Sequence, residues 1–421
     1  MSEQICKVGN EGFILEEMIR YGFWSPQGTI PEDPDGEIRK ELQELRRESS
    51  RLHNEQQLRK ETLKQRKQNE SIYLGEEVSE EINHNQGNLE RLRNNNLPLC
   101  NTAEEIADSM GINLGKLRFL AFNRKTSTVS HYIRFKMPKK TGGERFISAP
   151  MPSLKQAQHW ILTNILNKLN PHQAAHGFCR QRSIITNATP HVDKDVVINF
   201  DLKDFFPSIS YKRVKGLFHS FGYSETAATI FALLCTSADV DKLQLDARTY
   251  YVAVGDRYLP QGSPASPAIS NLLCRRLDKR LTGMAEKLGF TYTRYADDLT
   301  FSASGESLRH ICNILRRTDS IITHEGLRIN HDKTRILRNT QQQEVTGIVV
   351  NEKLSVCRKT LRKFRATLYQ IEKSGLEGKK WGNSTNLIAA ITGYANFVAM
   401  VNPEKGREFQ QQVKRIKIKY G

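Results

Sequence analysis

From about residue 130 onward, the spacing of apolar residues switches repeatedly between the two periods that mark strands and helices. The run 196–202, VVINFDL, is short, apolar and rich in β-branched residues, which predicts a buried strand. The segment 290–304, FTYTRYADDLTFSAS, reads as two strands joined at Ala296–Asp298. Leu308, Ile311, Cys312, Leu315 and Ile322 predict a helix that packs one face. GIVVNEKLSV at 347–356 predicts a hairpin turning at Asn351-Glu352-Lys353. Over 358–371, Leu361, Phe364, Leu368 and Ile371 recur at intervals of three and four, with Arg358, Lys359, Arg362, Lys363 and Arg365 around them. That is an amphipathic helix with a basic outer face. Together these elements predict an α+β chain.

The first hundred residues have a different character. One apolar cluster, Phe13, Ile14, Leu15, Met18, Ile19, Phe23 and Trp24, is followed by PEDPDG at 31–36, which breaks regular structure. Residues 37–68 are charged and polar helix formers. Ile38, Leu42, Leu45 and Leu52 keep near-heptad spacing, but Gln56 and Arg59 fall where the seam should continue. An extended charged helix is expected, either solvated or laid on a partner. Residues 84–97 read as a polar linker, and 101–122 as two short helices, the first opened by a Thr102–Glu105 capping box. That pair fits a helix-turn-helix or an ordinary helical hairpin. The expected division is a mainly helical extension over 1–100, then 101–350, then 351–421.

Composition adds less. At 421 residues the chain exceeds one compact domain. No run approaches the roughly 18–20 apolar residues of a membrane span. The start lacks a basic stretch followed by an apolar one, so the cytoplasm is expected. The seven cysteines are scattered without a CxxC pair, which points to neither a zinc site nor a disulfide framework. A net charge of +17 favours a polyanionic partner, since each neutralised phosphate releases counterions; a merely basic soluble protein is the other reading.

The chemistry concentrates at Asp297 and Asp298. Two adjacent acids on a tight turn disfavour joint ionisation unless a cation relieves them. Phosphoryl transfer to a 3′-hydroxyl uses two divalent ions about 3.5–4 Å apart, and hard carboxylate oxygens suit Mg2+. A third carboxylate must come from another strand, and Asp201 closes the apolar run before it.

The pieces resemble, in order and spacing, the motifs of reverse transcriptases. FDLKDFFPS resembles motif A, LPQGSPASPAISN motif B, YADD motif C, and LRINHDKT motif D, while KKTGGERFISAP resembles the fingers segment that meets the incoming triphosphate. The resemblance implies a right-hand polymerase of fingers, palm and short helical thumb. It implies that Asp201, Asp297 and Asp298 hold two Mg2+ ions with the Leu202 carbonyl. Arg145, Lys139 and Lys333 would contact the triphosphate, and Gln261 and Gly262 would line the nucleotide and template. Phe206 would lie under the sugar and exclude a 2′-hydroxyl, unless it is a core aromatic like Phe205.

Two further segments resemble the signatures of bacterial retron reverse transcriptases: Asn187-Ala188-Thr189-Pro190-His191 and, after motif D, Val345-Thr346-Gly347. The resemblance covers about residues 101–421. It implies binding of a structured RNA from the same operon through Asn187, His191, Val345, Thr346, Gly347, Arg358, Arg362 and Lys363, with a buried, hydrogen-bonded His191 as the other reading. It also implies DNA synthesis from an internal guanosine 2′-hydroxyl, giving a branched 2′,5′-linked RNA–DNA (msDNA) in anti-phage defence, beside an accessory effector protein. The first hundred residues depart from the short retron enzymes and would dock the effector, hold RNA or support an oligomer. The competing readings are another bacterial reverse transcriptase, of a non-retron defence or mutagenic type, and a non-catalytic RNA-binding protein.

Overall fold

The computed structural model describes residues 44–55, 57–58, 61, 74–75, 84–138, 143–245 and 247–420. The chain divides into two units, Met1–Leu74 and Gly75–Gly421. In the first, residues 44–55 are helical and largely exposed. The apolar cluster at 13–24, the break at 31–36 and the rest of the charged helix at 37–68 lie almost wholly outside the described residues.

The second unit is built on a four-stranded antiparallel sheet. Its strands are β1 (Val196–Asp201), β2 (Thr291–Tyr295), β3 (Asp298–Ala303) and β4 (Arg335–Arg338), in the order β2-β3-β1-β4. The apolar run in β1, interrupted by the half-buried Asn199, follows from burial on both faces, since successive side chains point to opposite sides. Val196, Ile198 and Phe200 join Leu299, Phe301, Leu277, Leu281, Ile314 and Ile322 in one core, beneath helices α1 (Arg275–Lys287) and α2 (Ile311–His324). Val197, on the other face, joins Ala188, Val345, Ile348 and Val350 in a second core. That core is completed by helices α3 (Arg358–Ser374), α4 (Leu387–Val401) and α5 (Pro403–Tyr420) through Phe364, Leu368, Ile391, Val398 and Phe409. The α+β right-hand arrangement expected from sequence is thus present, with a helical C-terminal thumb. In front of the sheet, the fingers carry a hairpin of Tyr132–Pro138 and Glu144–Pro150. A second hairpin, Ser237–Leu245 with Arg248–Tyr258, is joined to the first by the Arg134–Asp239 ion pair at 3.2 Å.

The two helices at 101–122 form as expected, with the Thr102–Glu105 capping box closed in both directions. Two expectations need correction. Residues 84–97 are not a free linker: Asn88 caps a helix at Leu89–Asn94, Asn88 N donates to Gly222 O at 2.7 Å, and Leu92 and Leu97 are buried. Asparagines dominate this segment because they cap and face solvent, and two leucines suffice to anchor it. The hairpin after motif D also turns twice. Val345 pairs with Ile348 around Thr346-Gly347, and Val349 then pairs with Ser355 around the expected turn. Among the described residues no helix is long and apolar enough to cross a membrane.

Candidate active site

Asp201 ends β1 directly opposite Asp298, the first residue of β3, so strand register alone brings two carboxylates together. Asp297 sits on the turn between β2 and β3, and its carbonyl accepts from Leu202 N at 3.0 Å. Ala296, just before it, adopts a left-handed φ of 57°. Lys333 Nζ donates to both Asp201 oxygens, at 3.0 and 3.1 Å, and Asn330 Nδ2 reaches Oδ2 at 3.3 Å.

The electrostatics show the crowding. Burial, then the charge of Asp201, raises the Asp297 carboxyl against the opposing pull of its backbone hydrogen bond, Arg145 and Lys333. Burial and the charges of Asp297 and Asp201 push Asp298 up to about 7. Among the described residues no three such ligands stand in a ready-made metal cage. The donor chemistry nevertheless fits a divalent cation: hard oxygens, held close and repelling one another, with Lys333 supplying the neutralising charge on Asp201.

Asp201 and Asp297 open onto a cavity of about 980 Å3. Its walls include Arg134, Lys136 and Arg145 of the fingers hairpin, Lys203 and Asp204 after β1, and Gln261, Asn330 and Lys333. The loop bearing Gln261 and Gly262 docks on the fingers: Ser148 N donates to Gln261 O at 2.7 Å. Gly262 has a φ of 113°, and a Cβ there would stand 2.8 Å from Ser148 O, so only glycine fits. Phe205 lines the cavity although nearly buried, whereas Phe206 packs half-buried against the palm core, the two rings 5.3 Å apart. Lys139 lies outside the described residues.

Sequence reasoning missed the support of this turn. Arg294, fully buried, forks onto Asp278 of α1, Nε to Oδ1 at 2.8 Å and Nη2 to Oδ2 at 2.7 Å. Its Nη1 donates to Asn271 Oδ1 and to the Ala296 carbonyl, both at 3.0 Å. The signal was available, because an arginine inside a strand with a buried face requires a buried counter-ion. A loop at 174–179 closes over the same turn. His176 N donates to Arg294 O and Arg294 N to Ala174 O, each at 2.7 Å. A Cβ on Gly177 would stand 2.7 Å from Ala296 N.

The residues expected to grip RNA separate into two groups. Arg358, Arg362 and Lys363 are exposed on α3. Gly347 is exposed and Thr346 half-buried, at φ values of 84° and 48°. Asn187, His191 and Val345 are fully buried, so direct RNA contact by these three side chains is corrected. The polarity of Asn187 and His191 misleads because their partners are internal, Thr346 for Asn187, and Ser302 and Thr293 for His191, while Val345 belongs to the apolar core.

The family model for reverse transcriptase (RNA-dependent DNA polymerase) matches residues 137–350. The retron Mx162 reverse transcriptase of Myxococcus xanthus is 42% identical over 341 residues, 78% of this chain and 69% of that protein. The retron Mx65 enzyme of the same organism is 38% identical, covering 76% of this chain and 72% of its own. The retron Ec86 reverse transcriptase of Escherichia coli is 33% identical, covering 79% of this chain and 95% of its own. On these grounds the chain belongs to the reverse transcriptases, and within that family to the retron reverse transcriptases.

Proposed function

We propose that Asp201, Asp297 and Asp298, with the Leu202 carbonyl, hold two Mg2+ ions for RNA-templated DNA synthesis. The observation that supports this most is the facing of Asp201 and Asp298 at the strand ends, with Asp201 and Asp297 lining a cavity that also holds Arg145 and Lys333. Bound Mg2+ would activate the attacking hydroxyl and stabilise the leaving pyrophosphate. The chain's own groups do the positioning. Arg145 presents a guanidinium to the triphosphate, and Lys139 is assigned the same role from the sequence. Lys333, paired with Asp201, carries positive charge toward the leaving group. Gln261 and Gly262 set the floor for nucleotide and template, and Phe206 reads the sugar. Asp297→Asn or Asp201→Asn should abolish Mg2+-dependent extension of a primed RNA template while the protein stays folded. Near-normal extension by either variant would overturn the assignment.

The same reading extends to the partner. The template is a structured non-coding RNA, held through the exposed cations of α3 and the turn at Thr346-Gly347, and the product is branched msDNA used in anti-phage defence in the cytoplasm. Residues 1–100 are proposed to serve an accessory effector protein or a second copy of the chain, with 101–350 as fingers and palm and 351–421 as thumb. Nucleic acid extracted with the purified protein should contain an RNA–DNA junction sensitive to a 2′,5′-debranching enzyme. Linear DNA or RNA alone would refute the retron product.

A further inference from the structure

The two signature segments lie far apart in sequence but meet beneath the catalytic hairpin. Asn187 and Thr346 are 159 positions apart, and Asn187 Nδ2 reaches Thr346 Oγ1 at 3.4 Å. Ala188 and Val345, next to them, share the apolar core that Val197 of β1 and Phe364 and Leu368 of α3 complete. His191 connects this base to the active site. Its Nδ1 lies 2.7 Å from Ser302 Oγ on β3 and its Nε2 2.8 Å from Thr293 Oγ1 on β2. These strands carry the Asp297–Asp298 turn between them.

One further contact bears on the hydrogen-bond directions. The Thr293 hydroxyl donates its proton to the Asn187 carbonyl at 3.4 Å. With the proton placed there, its oxygen is assigned to accept from His191 Nε2–H, and Nδ1 to accept from Ser302 O–H. Burial pushes the imidazole down to about 3, so the neutral ring this pattern requires is the one present. Every ring nitrogen is satisfied inside the protein, and no face of His191 reaches solvent.

We infer that Asn187, His191 and Thr346 form a clasp of positioning residues, through which the base of the thumb sets the catalytic hairpin, rather than a surface that touches RNA. This rests on the reading of Asp297 and Asp298 as catalytic acids. The clasp fixes β2 and β3 relative to each other on the face opposite α1, while Arg294 fixes the turn from the α1 side. Its loss should therefore slow nucleotide addition and leave RNA affinity alone.

The experiment uses the full chain with two probes: a generic primed RNA template for single-turnover nucleotide addition, and the end-labelled RNA transcribed from the chain's own operon for filter binding across a salt series. His191→Leu and Thr293→Val should each slow addition at saturating template at least about tenfold, equivalent to about 1.4 kcal/mol. His191→Gln, which keeps an amide donor and acceptor, should recover part of the rate. The double variant His191→Leu/Thr293→Val should be no slower than the worse single one, because both break the same link. The RNA dissociation constant should stay within about twofold of wild type, with an unchanged salt slope. Intact addition with weakened RNA binding would overturn the clasp and restore an RNA-contact role. Additive losses would overturn it as well. Should His191→Leu fail to fold, Thr293→Val, which nearly preserves shape, decides alone. An active Asp297→Asn variant would instead defeat the underlying catalytic assignment, so the two failures are distinguishable.

Discussion

Replacing Asp278 by leucine would leave the Arg294 guanidinium buried without its counter-ion, both side chains being 0% exposed in the native fold. Breaking a buried pair from one side costs about 3–5 kcal/mol, because the remaining charge has no solvent to turn to. The Tyr292 hydroxyl, which donates to Asp278 Oδ1 at 3.0 Å, loses its acceptor too. Asp278→Leu should therefore melt well below wild type. Removing both charges, as Asp278→Leu/Arg294→Met, should restore most of that stability, since apolar replacement of a buried pair is often neutral or better. The double variant should still polymerise poorly. Arg294 Nη1 holds the Ala296 carbonyl at 3.0 Å, and Ala296 keeps a left-handed φ of 57°. That conformation costs an L-residue about 1–2 kcal/mol, and a hydrogen bond from a charged donor contributes about 1.5–3 kcal/mol. Without it, the turn has reason to relax and carry Asp297 with it. Thermal unfolding and single-turnover extension, measured on both variants, separate the two effects. A double variant with restored melting temperature and near-wild-type extension would refute the reasoning and reduce Arg294 to a core counter-ion.

Other outcomes follow from the same geometry. Phe206→Val should raise ribonucleotide incorporation with little loss of stability, whereas Phe205→Val should cost about 2–4 kcal/mol of stability; unchanged sugar discrimination in single-nucleotide extension by Phe206→Val would assign that ring to the core. Arg362→Glu/Lys363→Glu should weaken binding of the operon RNA and flatten its salt dependence, by roughly 0.7–0.9 in slope for each phosphate no longer neutralised; an unaltered slope would mean a merely solvated face. Burial holds His191 at about 3 against an ordinary 6.5, so between those values the unfolded chain takes up a proton that the folded one refuses. Stability from this residue is complete above pH 6.5 and declines on acidification, by roughly 2 kcal/mol at pH 5. His191→Gln should show a smaller fall in melting temperature between pH 7.5 and 5, and an equal fall would count against the burial argument. A chain starting at Gly75 should melt like the polymerase body of the full protein, while one starting at Leu99 loses buried Leu92 and Leu97 and should be destabilised by several kcal/mol; equal melting temperatures would show that the short helix contributes nothing.

The catalytic acids were legible because local pattern and chemistry agree there. Asp201 ends a strand that is apolar on both faces, and Asp297 and Asp298 fill a turn whose flanking strands have clear boundaries. Strand register then brings Asp201 opposite Asp298, a long-range pairing that the family resemblance implied and no local pattern shows. The amphipathic α3 was legible for a similar reason, since its buried Phe364, Leu368 and Ile371 recur at helical spacing. What the sequence hid was the burial of polar groups. Whether His191 faces RNA or hydroxyls depends on where Thr293 and Ser302 lie, and no spacing rule joins them. Leu92 was obscured in the same way by the asparagines around it, whose role as caps emerges only once the helix is placed. The second turn at Thr346-Gly347 was hidden because its strands are only two residues long, too short to display alternation.

Gly177 has a consequence for variation in this enzyme. Loops usually absorb substitutions and insertions more readily than the elements they join. Here the loop backbone lies so close to the Ala296 amide that even one added carbon would intrude on the Asp297 turn. In a library randomised across 174–179 and selected for DNA synthesis, position 177 should return as glycine almost without exception. Phe178, whose side chain is 59% exposed, should meanwhile drift freely wherever its φ of 59° is tolerated. One position in what looks like a surface connection is therefore held as tightly as the core, and engineering of this loop has to leave Gly177 in place.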